Sequence, residues 1–91
     1  MNASALEAEV LSRIAEDYEA PHTIAGDIAR DLKHPVSEAE VLVALLSLAR
    51  GGSAQAYVYD AKGQRYRPIS AAEAQAEKDP WFMAKRARHA T

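Results

Sequence analysis

Four basic side chains, Arg50, Lys62, Arg65 and Arg67, stand close together in this 91-residue sequence and are its best candidates for chemistry. Guanidinium and ammonium groups donate charge-assisted hydrogen bonds, and phosphate oxygens are strong acceptors for them. The same residues also suit a solvated hairpin whose charges discourage edge-to-edge pairing. A further basic run, Lys85, Arg86, Arg88 and His89, would enlarge a polyanion footprint.

Catalytic chemistry finds little support. The histidines His22, His34 and His89 lie far apart, with none of the close spacings that gather metal ligands. There is no cysteine, which excludes disulfides and thiolate sites and fits a reducing compartment. Glu7, Glu16 and Asp27 each fit a solvated helix face. Ser37 and Ser70 have no glycine elbow around them and read as helix caps. The four glycines serve a helix and two turns, and no phosphate loop or dinucleotide fingerprint is present. The chain is therefore not expected to be an enzyme, to hold a metal or to carry a cofactor.

The length corresponds to one domain with a thin core. The apolar fraction of 48% argues against disorder, although much of it is alanine. Net charge is −2, which disfavours a strong nonspecific polyanion binder. The charges are segregated. Residues 1–49 carry three basic and nine acidic side chains, a balance of −6, whereas residues 50–91 carry eight and four, a balance of +4. A polyanion should meet the second half first. No basic-then-apolar leader is seen at the N-terminus. The apolar run Val41 to Ala49 is about half the roughly 20 residues a membrane helix needs. A cytoplasmic protein without membrane association is expected.

The elements that would position these residues follow from pattern. Ser4 with Glu7 forms a capping-box pair, and Leu6, Val10, Ile14 and Tyr18 recur at a spacing of four, so a first helix is expected from Ser4 towards Pro21. Thr23 is the expected cap of a second helix over 24–33, stopped by His34-Pro35. Gly26 lies inside it, as a glycine can where another helix packs close. Ser37 with Glu40 opens a third helix that runs to Arg50 and ends at Gly51-Gly52. Tyr57 to Arg67 reads as a hairpin turning at Asp60-Ala61-Lys62-Gly63, with glycine in the left-handed position and Tyr57 facing Tyr66. Ser70 with Glu73 caps a short helix through about Lys78, broken by Asp79-Pro80.

Helix, helix, tight turn, helix and hairpin resembles the winged helix-turn-helix superfamily. The resemblance rests on Ile24-Ala25-Gly26-Asp27-Ile28-Ala29-Arg30-Asp31-Leu32, on Val36-Ser37-Glu38-Ala39-Glu40-Val41, and on Ala44 to Gly52. It covers about residues 4–69. It implies an α+β, mostly helical fold: a three-helix winged-helix domain over 1–69 with a two-stranded β-hairpin wing. A C-terminal helix and aromatic, basic tail over 70–91 would pack on the domain or on a partner. The resemblance also implies duplex DNA as ligand. Ser37, Glu38 and Glu40 would then lie nearest the bases, and Arg50, Lys62, Arg65 and Arg67 would contact phosphates. The acidic start of the third helix departs from that pattern, since carboxylates meet the negative potential of the backbone.

A second expectation is therefore a winged-helix module that binds protein, including a second copy of itself, without DNA. The third helix is apolar almost all round. With Val41, Ala44, Leu45 and Leu48 facing the core, Leu42, Val43 and Leu46 would be left for cover by the C-terminal segment or by a partner. Trp81 and Phe82 would either fold back to close the core or insert into a neighbour. The expected interface is thus Leu42, Val43, Leu46, Trp81 and Phe82.

Overall fold

A computed structural model describes residues 1–85. Arg86, Arg88 and His89 lie outside the described residues. Four helices, α1 (Ala3–Arg13), α2 (Pro21–Leu32), α3 (Glu38–Arg50) and α4 (Ala71–Ala76), pack on one antiparallel sheet. Its strands are β1 (Ala54–Asp60), β2 (Arg65–Ile69) and β3 (Trp81–Ala84), in the order β2-β1-β3.

The sheet is where the structure departs furthest from expectation. The two-stranded hairpin has gained a third strand from the segment expected as a tail. β3 pairs with β1 on one side, Phe82 opposite Ala56. On its other side Phe82 exchanges both backbone hydrogen bonds with Glu19, each 2.9 Å. The Ala84 N–H donates to the carbonyl of Ile14 at 2.8 Å. These long-range bonds explain why α1 stops at Arg13 instead of continuing towards Pro21. The backbones of Ile14 and Glu19 are engaged by the strand, so Tyr18 lies outside the helical stripe in which its spacing placed it.

The other boundaries shift for local reasons. The α1 cap is Asn2, whose side chain accepts from the Ala5 N–H at 2.8 Å, so Ser4 lies inside the helix. Asparagine caps as well as serine, and its earlier position wins. α2 begins at Pro21 and not after Thr23, because proline's fixed φ and missing N–H suit the first helical position. It ends at Lys33, held at φ 51°. His22 accordingly sits in the first turn of α2. The two downstream capping boxes are both formed, Ser37 with Glu40 and Ser70 with Glu73.

The hairpin register is displaced by two residues from the simple one. Tyr59 faces Tyr66, and Tyr57 faces Pro68. A shift of two preserves which face each side chain takes. The Asp60 carboxylate accepts from the N–H groups of Lys62 and Gly63 and shapes the turn. The left-handed residue is Gln64, at φ 51°, and not Gly63.

The core lies between the helices and one face of the sheet. Val10, Ile14, Ile24, Ile28, Val41, Leu45 and Phe82 are its largest fully buried side chains. The sheet supplies Ala54, Ala56, Ile69 and Phe82, and α4 adds Ala74. On α3, Val41, Ala44, Leu45 and Leu48 face inward as expected, but Leu46 is buried too and Leu42 packs against the core. Arg13 ties α1 to α2 by reaching Glu9 and Asp31, each at 2.8 Å. Among the described residues no helix is long and apolar enough to cross a membrane.

Two measurements check this architecture. Phe82→Ala is expected to lower unfolding stability in urea by about 3–5 kcal/mol, the usual range for a buried phenylalanine; a loss below 1 kcal/mol would place residue 82 outside the core. Gly26 is exposed on α2, and nothing lies within 4 Å of where its Cβ would sit. Close helix packing does not require it. Gly26→Ala is expected to raise stability by about 0.5–1 kcal/mol.

Candidate binding face

Strand alternation sorts the aromatic residues. Successive side chains point to opposite faces, and directly paired residues share a face. Ala54 and Ala56 of β1 face the helices together with Phe82 and Ile69. Tyr57 and Tyr59 therefore face the other way, with Tyr66 opposite Tyr59 and Trp81 opposite Tyr57. The segment between α1 and α2 adds Tyr18, whose ring stacks on Tyr66 at 3.8 Å and 9°. Tyr57 meets the edge of Tyr18 at 4.9 Å, Tyr59 meets Tyr66 at 5.2 Å, and Tyr66 meets Trp81 at 5.4 Å. All four tyrosines and the single tryptophan of the sequence thus form one cluster. The single phenylalanine is alone on the core side. Tyr59 is 49% exposed, and the others are half-buried.

A groove of about 520 Å³ opens beside this cluster. Tyr59, Tyr66 and Trp81 line one side, and Pro21, His22 and Glu38, from the starts of α2 and α3, line another. Lys78, Asp79 and Pro80 complete it. The size falls within the range of roughly 300–1,000 Å³ typical of ligand sites.

The electrostatics around the cluster are negative. Burial pushes the Tyr66 hydroxyl above its usual pKa, and the charges of Asp17 and Glu19 and the neighbouring hydroxyls of Tyr59 and Tyr18 add to the rise. Tyr57 is raised by burial and by Tyr18. The Glu19 carboxyl is raised first by burial and then by repulsion from Asp17 and Asp27. Each of these shifts opposes further negative charge on this side of the molecule.

The expected phosphate-binding residues lie elsewhere. Arg67 faces Val58 and Arg65 faces Asp60, which sets both on the opposite face of the hairpin from the tyrosines. The Arg67 charge helps to lower the Glu73 carboxyl, after the larger effect of its hydrogen bonds with Ser70. Lys62 is at the hairpin turn, and Arg50 donates to Gln75 of α4 at 3.2 Å. Ser37 and Glu40 are engaged with one another in the α3 cap. Glu38 is exposed and belongs to the aromatic groove, which none of the four basic residues lines.

The expected protein-interface residues also separate. Phe82 is 0% exposed and Leu46 is buried, so both are core residues and not surface contacts. β3 pairing and core filling account for Phe82, and the closeness of α3 to its neighbours accounts for Leu46. Leu42 is half-buried, Val43 is 67% exposed, and Trp81 is half-buried in the aromatic cluster. Val43 borders a second groove of about 380 Å³ with Met1, Leu6 and Ala44, between α1 and α3. Among the described residues no three His, Asp or Glu side chains are gathered as metal ligands would be.

The sequence reading missed all four tyrosines as site residues, treating Tyr57 and Tyr66 only as a cross-strand pair. For Tyr59 the signal was present, since Tyr57 and Tyr59 are two apart on a strand. For Tyr18 no local signal existed. Comparison of the chain with protein-family models, curated proteins and solved structures finds no match.

Glu19 offers a pH test of burial and neighbouring charge at this face. Its carboxyl holds a proton more tightly folded than unfolded, so its ionisation costs stability. That cost is absent at acid pH, grows as pH rises from the ordinary carboxylate range through the raised folded value, and persists above it. Glu19→Gln is expected to raise the Tm at pH 7 and to leave it unchanged near pH 3. Equal Tm values for parent and variant at both pH values would show that neither burial nor the neighbouring carboxylates penalise ionisation there.

Proposed function

We propose that this chain is a small winged-helix-type domain that binds another protein through the aromatic face of its sheet and performs no catalytic step. The single observation carrying this reading is the cluster of Tyr18, Tyr57, Tyr59, Tyr66 and Trp81 on the side of the sheet away from the core, with Tyr59 half in solvent. Tyrosine and tryptophan bury large areas, lose few rotamers and keep a polar edge, so they dominate protein interfaces. The helix order and the short 33–37 connection between α2 and α3 support the winged-helix description. Acidic first-turn residues on α3 and the negative field beside the tyrosines disfavour a polyanion on this side.

Site-specific photo-crosslinking tests this. A photoreactive phenylalanine analogue at position 59 is expected to yield protein adducts in cells, and the same analogue at exposed Ala72, on α4, is not. Nucleic-acid adducts at position 59, or an equal yield at both positions, would overturn the proposal.

One arrangement favours a second reading. Arg65 and Arg67 share a face of the hairpin, with Lys62 at its turn, and could track duplex phosphates without the acidic start of α3. Anisotropy titration of random duplex DNA at low salt separates the readings. The protein-binding proposal expects no complex at micromolar protein; a complex lost in Arg65→Ala/Arg67→Ala would replace it.

A further inference from the structure

Resting on the protein-binding reading above, we infer that the groove beside the cluster seats a cationic side chain of the partner, an arginine, between the aromatic wall of Tyr59, Tyr66 and Trp81 and the carboxylates of Glu38 and Asp79.

The wall of the groove is aromatic. Tyr66 stands at its centre, 5.2 Å from Tyr59 and 5.4 Å from Trp81, with both rings steeply inclined to it, at 64° and 74°. Such inclined rings do not form a flat platform; Tyr18 covers one face of Tyr66, stacked at 3.8 Å, and the groove opens beside Tyr59, Tyr66 and Trp81. An aromatic face carries negative potential, and a cation within about 6 Å of the ring centre is attracted to it. Guanidinium adds a planar surface that stacks on a ring, and it is less strongly hydrated than ammonium.

The charges at the rim have the sign such a guest needs. Glu38 and Asp79 line the groove with one lysine, Lys78, and with His22. Asp17 and Glu19 act on Tyr66 from the side of the α1–α2 segment. Glu38 has no hydrogen bond or ion pair among the described residues, unlike Glu40, which is held in the α3 cap, and Glu9, which is held by Arg13. Its carboxylate is thus available to a guest. An anionic guest would meet carboxylates on two sides, and a purely apolar guest would leave the aromatic faces contacted but the carboxylates desolvated without a partner.

The other candidate surface, the apolar groove beside Val43, offers no comparable chemistry to define its occupant.

Trp81 is the only tryptophan of the sequence and lines this groove, so its fluorescence reports directly on occupancy. The full-length chain is titrated with a nonaromatic peptide of alternating Gly and Arg, and with peptides of the same length carrying Gln or Glu in place of Arg. The Arg peptide is expected to give a saturable change that weakens with added salt. The Gln peptide should bind more weakly, and the Glu peptide should not bind. Tyr59→Leu keeps apolar bulk but removes a π face, and it is expected to weaken Arg-peptide binding about 2- to 30-fold. Glu38→Gln should weaken it as well. Glu7→Gln, the same charge change at a remote site on α1, should leave it unaltered and so exclude general attraction to an acidic half.

Equal binding of the Arg and Gln peptides, or equal effects of Glu38→Gln and Glu7→Gln, overturns the cation pocket while leaving the protein-binding face standing. No response to any peptide, together with protein crosslinks at position 59, also overturns the pocket alone. No response together with failed crosslinking removes both.

Discussion

The double backbone hydrogen bond between Phe82 and Glu19 is the constraint on which the rest of the molecule depends. It joins the last strand to the first interhelical segment, 63 residues apart in the chain (82 − 19). It also fixes the orientation of β3. With Phe82 directed into the core, Trp81 and Met83 must take the opposite face, because neighbouring strand residues alternate. A one-residue slip would turn Trp81 towards the core at Ala56 and expel the only phenylalanine to the opposite face. The core of a domain this size is too thin to lose its one large aromatic residue.

That orientation divides the sheet into two chemically distinct faces. The helix side is built from small or aliphatic residues, Ala54, Ala56 and Ile69, around Phe82. Small residues on β1 let the helices approach closely. The other side gathers the tyrosines and Trp81, residues whose polar edges tolerate partial exposure. A sheet face of this composition is held by edge and stacking contacts and leaves part of Tyr59 in solvent.

Charge is divided along the same line. The α1–α2 segment and the start of α3 bring Asp17, Glu19 and Glu38 towards the tyrosines. The arginines of β2 share the helix-side face, where Arg67 acts on Glu73 of α4. Asp17, Glu19 and Glu38 thus stand on the tyrosine side, and Arg65 and Arg67 on the other face of the hairpin. Local helix and turn chemistry was legible before any coordinates. Ser37 with Glu40 and Ser70 with Glu73 cap helices as their spacing implied, and Gly51-Gly52 ends α3. These signals act within a few residues, and no tertiary contact competes with them. The start of α1 was misplaced because two good caps, Asn2 and Ser4, lie side by side, and spacing alone does not rank them.

By itself, then, the sequence determined three helices and a hairpin in order, the inward face of α3, and the absence of a recognisable catalytic motif. Periodicity, capping and turn propensity are local quantities that a single chain displays directly. The tertiary structure alone decided that Trp81–Ala84 is a strand, that Tyr18 leaves its helix to stack on Tyr66, and that Arg65 and Arg67 point away from the tyrosines. Each of those outcomes depends on backbone pairing between residues far apart in the chain. Such pairing is worth forming only once the core has brought both partners out of water together.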